Sequence, residues 1–453
     1  MILRKSPGNF GISSPWRGRD DQQFFIMKQI SIALLLFLLP ISSLVAQSPA
    51  QDATPFPKPP SIKGLQVQMI DDALALGIHH AGVNINITGL VDLEKRPENP
   101  KRTVDGFEFS FHEPYLKLLD SQIKPLSDKG VLVYLIVIAY PSKNAAVDAL
   151  VIHPDARKDY QYSVGGFNSK TPEGRAWLKA VSMEMASRWS GARPECGRVW
   201  GWIVGNEVNS HWIWSNMGSK PLNEAVAEYA QAFRIIHGSV RTASANARLY
   251  ISFDHHWGGG MSGISAGEAA AGRDYLDAFA KLNGDLDWHV AWHPYPEDLR
   301  NPRAWTDNTA VSDDSSHKVT FKNLEVLCRH LRKPELLYKG EPRRVILSEQ
   351  GFHMLPDPDG ETLQAAAYAY AWEKCRKLPL IDAFIYHRHV DHSQEGGLLL
   401  GLWKSVPGSI ADPAGKKQIW ELLRKAGTPE WDAAAAPMLP VTGLKSWDEL
   451  TGE

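Results

Sequence analysis

Cysteine is scarce, with three in 453 residues, at positions 196, 328 and 375 and with no CxxC or Cys/His spacing. That excludes a disulfide-stapled scaffold and a structural zinc site built on thiolates. One bridge between Cys328 and Cys375, on successive helix-like segments, stays open beside the reading of buried thiols. Charge of one sign is also missing. The formal net charge is −2 and no run of like charge occurs, so nothing favours nucleic acid or an anionic membrane as partner. Glycine and proline are not in excess, and the composition is that of a globular chain. Tryptophan, by contrast, is plentiful, with 16 Trp against 15 Phe. Flat apolar faces with a polar edge suit sugar rings, but large barrels also bury many Trp.

No apolar run is long enough to span a bilayer. The longest follows Met27, where MKQISIALLLFLLPISSLVAQ has one Lys, an apolar core from Ile30 to Leu39 and small residues up to Ala46. This pattern predicts a secretory signal peptide cleaved after Ala46, with residues 1–26 an upstream extension and Met27 the true start. The expected product is exported, to the periplasm or beyond, without stable membrane insertion once the signal is removed. Residues 47–66 open Pro-rich and aperiodic and read as an extended linker. Residues 67–425 read as one domain, and 426–453 as a C-terminal tail.

Within that domain, strand-like segments are expected at 79–87, 107–112, 131–139, 199–206, 248–254, 286–293, 344–349 and 381–388. Helical periodicity falls between them at 172–189 (capped by Thr171, with Pro172 first), 223–238, 321–333 and 362–376. Eight strands alternating with helices predict an α/β fold, a single (β/α)8 barrel with long loops. Period-two parity agrees. Ala81, Val83, Ile85 and Ile87 share a face opposite His80, Gly82, Asn84 and Asn86, and Trp288, Val290 and Trp292 lie opposite His289, Ala291, His293 and Tyr295. In GWIVGNEVNSHWIW, Glu207 has the parity of Gly201, Ile203 and Gly205, which aims it into the barrel at the C-terminal end of its strand, where such barrels place their chemistry.

Glu349, in VILSEQG, ends the seventh expected strand as Glu207 ends the fourth. Strands four and seven face each other across an eight-strand barrel. Two carboxyl groups with separated pKa values can protonate a departing glycosidic oxygen and attack the anomeric carbon. With Asn206-Glu207, Glu349 and His293-Pro294-Tyr295 at three strand ends, the sequence resembles clan A of the glycoside hydrolases. GVNINITGL, SEQGF and EGGLLLGLW also resemble a group of secreted bacterial clan-A-like proteins of unassigned function. The resemblance spans 67–425 and implies a retaining mechanism without metal or cofactor on a carbohydrate substrate. It implies Glu207 as acid/base, Glu349 as nucleophile, Asn206 on the sugar 2-hydroxyl, Tyr295 on Glu349, and His293 in the same subsite.

The sequence departs from the clan where many members carry a Trp at the end of strand eight. FIYHRHVDH offers His387, Arg388, His389, Asp391 and His392, and Trp403 is the expected replacement floor. Arg388 would suit a uronate or sulfated sugar, which a guanidinium grips as a fork. Trp212, Trp214, Trp257, Trp305 and Trp403 are candidate stacking platforms, with ordinary packing an equal reading for each. His256 joins His293 and His387 as a candidate sugar contact. Two other functions stay in view: a non-catalytic carbohydrate-binding barrel, and a metal-dependent hydrolase using the His and Asp residues at strand ends.

Overall fold

Eight parallel strands close into a barrel in simple sequential order, in a computed structural model that describes residues 51–158, 164–261 and 263–452. The expected signal peptide and the start at Met27 lie outside the described residues. The strands are β1 (Lys63–Gln66), β2 (His80–Asn86), β3 (Leu132–Ile138), β4 (Gly201–Val204), β5 (Arg248–Phe253), β6 (His289–Trp292), β7 (Val345–Leu347) and β8 (Ile381–Tyr386). Closure is made by β1 pairing β8, with Lys63 opposite Phe384. Helices stand between successive strands, including Glu113–Asp128, Pro172–Trp189, Leu222–Ala243, Gly272–Asn283 and Gly360–Arg376, and Gln418–Lys425 follows β8. The third of these gaps bears out its expected cap, since the Thr171 hydroxyl accepts from Gly174 N at 3.0 Å. No helix of the described residues is long and apolar enough to cross a membrane.

The parity reading holds on both tested strands. Ala81, Val83, Ile85, Trp288, Val290 and Trp292 pack between sheet and helices. Tyr134, Ile136, Ile203, Tyr250, Ala291, Ile346, Ala383 and Ile385 fill the barrel interior. β3 reads LVYLIVI and is buried at every position, as a parallel strand covered on both faces should be. Gly201 makes this interior possible, because a Cβ there would lie 2.0 Å from Tyr134 Cδ1.

Four boundaries differ from expectation. The first strand is β1, inside the stretch expected as linker, so the 79–87 segment is the second strand. The 107–112 segment is no barrel strand. Phe107–Ser110 pairs antiparallel with Lys101–Val104 around Asp105-Gly106, both with positive φ. Asp-Gly is a favoured two-residue hairpin turn, and an antiparallel pair can leave one face wet where a barrel strand cannot. The segment before β1 is not a free linker either. Asp52 N donates to Ala243 O at 2.8 Å, Phe56 stands edge-on to Trp200 at 5.7 Å, and Arg248 lies over Phe56 at 4.0 Å. These contacts seat it under the N-terminal end of the barrel. The expected tail packs as well. Trp431 sits 5.7 Å from Trp372, and Lys374 Nζ donates to Thr451 O at 2.8 Å. No disulfide joins Cys328 to Cys375, and burial pushes the Cys375 thiol up.

Candidate active site

β4 ends at Val204, and the chain then turns sharply, with Gly205 at φ +81° and Glu207 at φ +41°. A left-handed glutamate costs about 1–3 kcal/mol and persists only where its surroundings hold it. Here Glu207 N donates to Ser252 Oγ at 3.1 Å, and Val208 N to Ser252 O at 2.9 Å. The turn keeps Glu207 inward although the strand's own alternation has ended. Its carboxylate lies 2.9 Å from His293 Nδ1, while His293 Nε2 meets Ser348 Oγ at 3.0 Å and Ser252 Oγ at 3.3 Å. With Nε2 accepting from one serine hydroxyl, the neutral ring carries its proton on Nδ1 and donates it to the carboxylate.

Burial lifts the Glu207 carboxyl above its ordinary value, with the Asp254 and Glu349 charges adding, against the opposing hydrogen bond and charge of His293. Burial works to lower His293, but its bond to Glu207 and the charges of Glu349, Glu207 and Asp254 carry it upward. Relative to the same groups in water, Glu207 and His293 are thus both shifted toward holding a proton.

Glu349 follows β7 and is half-buried. It accepts from Tyr295 Oη at 3.3 Å, and burial with the Glu349 and Glu395 charges keeps that phenol protonated. One ligand atom each from Glu207, His293 and Glu349 lie within 4.8 Å of one another, so the two carboxylates converge across the mouth. Asn206 is half-buried beside them. Trp214 is half-buried and packs on the top of the interior cluster.

Other expected sugar contacts are engaged elsewhere. Trp257 is 1% exposed and packs on Trp292 and His330, a core position. Trp305 packs on Tyr370, and Trp212 lies under Arg157 at 5.0 Å. Trp403 donates its indole N–H to Asp72 at 3.0 Å, as does Trp420 at 2.9 Å, so it is tied to the wall beside β1 rather than offered as a floor. His256 sits 3.1 Å from Asp254. His387 bridges Gln66 and Glu395, each at 2.8 Å, and Arg388 is paired with Glu395. His389 takes Asp72 and Asp391 takes Lys417. Of the polar residues after β8, His387 and Arg388 thus share Glu395, whereas His389 and Asp391 take other partners.

Ser252, Asp254 and Ser348 were not anticipated, although each sits on or just beyond a strand end. Asp254 binds Asn209 and Ser210, both at 2.7 Å, and fixes the loop after β4. Tyr140 and Glu395 carry no periodic signal, being in loops. Tyr140 lies just after β3, where its N–H donates to Asn86 Oδ1 at 3.0 Å, and its phenol is raised by burial with the charges of Glu349 and Glu395 adding.

These elements define an α/β protein of the (β/α)8 class with paired carboxylates at the C-terminal ends of its fourth and seventh strands. The chain belongs to a family of unknown function (DUF5722), whose model matches residues 55–450 and so takes in both the segment under the barrel and the packed C-terminus. No curated protein matches the chain. Among solved structures it is similar in fold to a family 39 glycoside hydrolase from the gut symbiont Bacteroides cellulosilyticus WH2, with TM-score 0.52 and 13% identity, covering 84% of this chain and 66% of that one. It is likewise similar to a hyperthermophilic beta-glucosidase from Pyrococcus furiosus, with TM-score 0.52 and 13% identity, covering 82% and 86%. The chain spans just under two thirds of the gut-symbiont enzyme. At these identities the likeness is one of fold.

Proposed function

We propose that the protein is an exported glycoside hydrolase that cleaves oligo- or polysaccharides with retention, by double displacement. The observation that carries this reading is the convergence of Glu207 and Glu349, with ligand atoms within 4.8 Å. Retaining enzymes hold their carboxyl groups roughly 5–5.5 Å apart, whereas inverting ones leave room for a water between them. Their environments also divide the labour. Burial raises the Glu207 carboxyl, which suits an acid that must carry a proton at working pH. Glu349 is met by a neutral phenol, which steadies a carboxylate without cancelling its charge.

In the first step Glu349 attacks the anomeric carbon as Glu207 protonates the departing oxygen, which leaves a glycosyl–Glu349 ester. In the second, Glu207 takes a proton from water, which attacks the same carbon and releases Glu349. His293 holds Glu207 in place and shares its proton. Asn206, half-buried at the mouth, would bond the sugar 2-hydroxyl, and Trp214 would stack on a neighbouring ring. The fold neighbours that are glycoside hydrolases support the reaction class.

A panel of aryl glycosides and glycans, with the product anomer followed by NMR in the first minutes, tests the reading. Retained configuration is the expected result. Inverted product would remove the covalent intermediate, and inertness toward the whole panel would leave a carbohydrate-binding barrel.

A further inference from the structure

We propose that Glu395 is a specificity-determining sugar contact, a fixed carboxylate that accepts sugar hydroxyls and makes the cleft select uncharged sugars over uronates. The inference rests on the hydrolase reading and replaces the expectation that Arg388 recruits an anionic sugar.

Glu395 sits in the loop after β8, with its side chain 22% exposed. His387 Nε2 meets one carboxylate oxygen at 2.8 Å, and Arg388 donates to the other. His387 is held in turn by Gln66 at 2.8 Å. Gln66 donates to the carbonyl of Ser348 at 3.1 Å, one residue before Glu349. The loop is pinned from outside by Arg300, which donates to Gly396 O at 2.6 Å. Glu395 is thus a rigid group tied to the backbone that carries Glu349. Although burial opposes it, His387 and Arg388 hold the Glu395 carboxyl down at about 2. Gln66 and the backbone N–H of His387 donate to the carbonyls of Ser348 and Gln350, the residues on either side of Glu349, at 3.1 and 2.8 Å, which carries Glu395 beside the backbone of Glu349.

Two consequences follow from this chemistry. A carboxylate only accepts, and each oxygen of Glu395 keeps a lone pair beyond its single protein partner. Two neighbouring sugar hydroxyls can fill both. Arg388, meanwhile, is paired through Nη1 with Glu395, which offsets its charge. A uronate would therefore enter a mouth that already holds Glu207, Glu349 and Glu395, with Asp254 beneath, where Arg388 is already paired with a carboxylate.

The test compares kcat/KM on neutral 4-nitrophenyl hexosides and pentosides with that on the matching uronides, for the wild type and for Glu395→Gln. The wild type should favour a neutral sugar. Glu395→Gln should lose about 10- to 100-fold on that sugar, mainly in KM, and lose less on the uronide, so the neutral-to-uronide ratio falls. A wild type that prefers uronides, or a variant that loses both activities in equal proportion, overturns the inference while leaving the hydrolase reading in place. Turnover of no glycoside at all counts against the hydrolase reading instead. Calorimetric titration with methyl glycosides and free uronates then reads the selectivity directly, and equal affinity, or none for either, overturns it. Thermal melts of both proteins check that the variant is folded.

Discussion

At the N-terminal end of the barrel, Asp382 accepts from Arg248 at 2.6 Å and from Arg344 at 3.0 Å, and Arg343 donates to the carbonyls of Leu336, Leu286, Trp288 and Gly284. At the C-terminal end, Glu207 and Glu349 meet, among the described residues, an imidazole and a phenol. The first arrangement neutralises charge and joins strands β5, β7 and β8. The second orients charge and leaves it unspent. Barrels of this class conserve stability at one face and chemistry at the other, and the partners of the carboxylates show which face is which before any ligand is considered.

The largest break in that contrast is Glu349→Gln. It keeps the shape of the mouth and removes the nucleophile, so turnover should fall by several orders of magnitude while sugar binding, read by calorimetry, persists. Activity within tenfold of wild type would take Glu349 out of the mechanism. The mirror-image change is Asp382→Asn, which leaves two arginines without their shared carboxylate. Its partial exposure, 23% of the side chain, reduces the penalty of a fully buried pair to about 2 kcal/mol, read as the shift in denaturant midpoint. The kcat of the folded fraction should not change. A variant stable but inactive would mean that the two ends are not independent.

His293→Gln sharpens the contrast at the mouth itself. The Glu207–His293 pair is the group whose loss of a proton ends acid catalysis, so activity falls as pH rises through its elevated value. The imidazole's bond and charge pull the Glu207 carboxyl down against burial. Replacing it with a neutral amide should move the alkaline limb of kcat upward by about 0.5–1 pH unit and lower kcat about tenfold through poorer positioning. An alkaline limb that stays in place, or moves down, would separate His293 from the proton on Glu207.

Much of this site could be read from residue order. Parity placed His293 and Tyr295 inward, because β6 keeps strict alternation up to the mouth. It also placed Glu207 inward, although for that residue the structural cause is a left-handed turn that alternation cannot foresee. The first two strands were less legible. β1 is four residues long and follows prolines, and the 101–110 hairpin has the alternation of a half-exposed strand, which period alone cannot tell from a barrel strand. Tryptophans were the least legible, since Trp214 and Trp257 look alike in sequence and only packing divides a cleft wall from a core residue. Arg388 misled for a related reason. Its partner Glu395 lies seven residues on in a loop, and no periodicity joins the two.

Asp307 extends the comparison to a smaller effect, because it is a buried acid whose carboxylate has no ion-pair partner among the described residues. Oδ1 accepts from Glu297 N at 3.2 Å, and Oδ2 is buried without a partner. Burial and the Glu297 charge push the carboxyl up to about 7, against Thr320 and Lys322. A folded-state value above the unfolded one means that, between about pH 4 and pH 7, the unfolded chain has released this proton and the native protein has not. Stability from this group is therefore full below about pH 4, falls as pH rises to about 7, and is flat beyond. Asp307→Asn cannot ionise, so at pH 8 it should be more stable than wild type by at least about 1 kcal/mol, and the difference should vanish near pH 4. Denaturant midpoints at pH 4, 6 and 8 would read this slope. Parallel profiles for the two proteins would show that Asp307 is already charged in the native state, and that the loop after β6 finds it a cation after all.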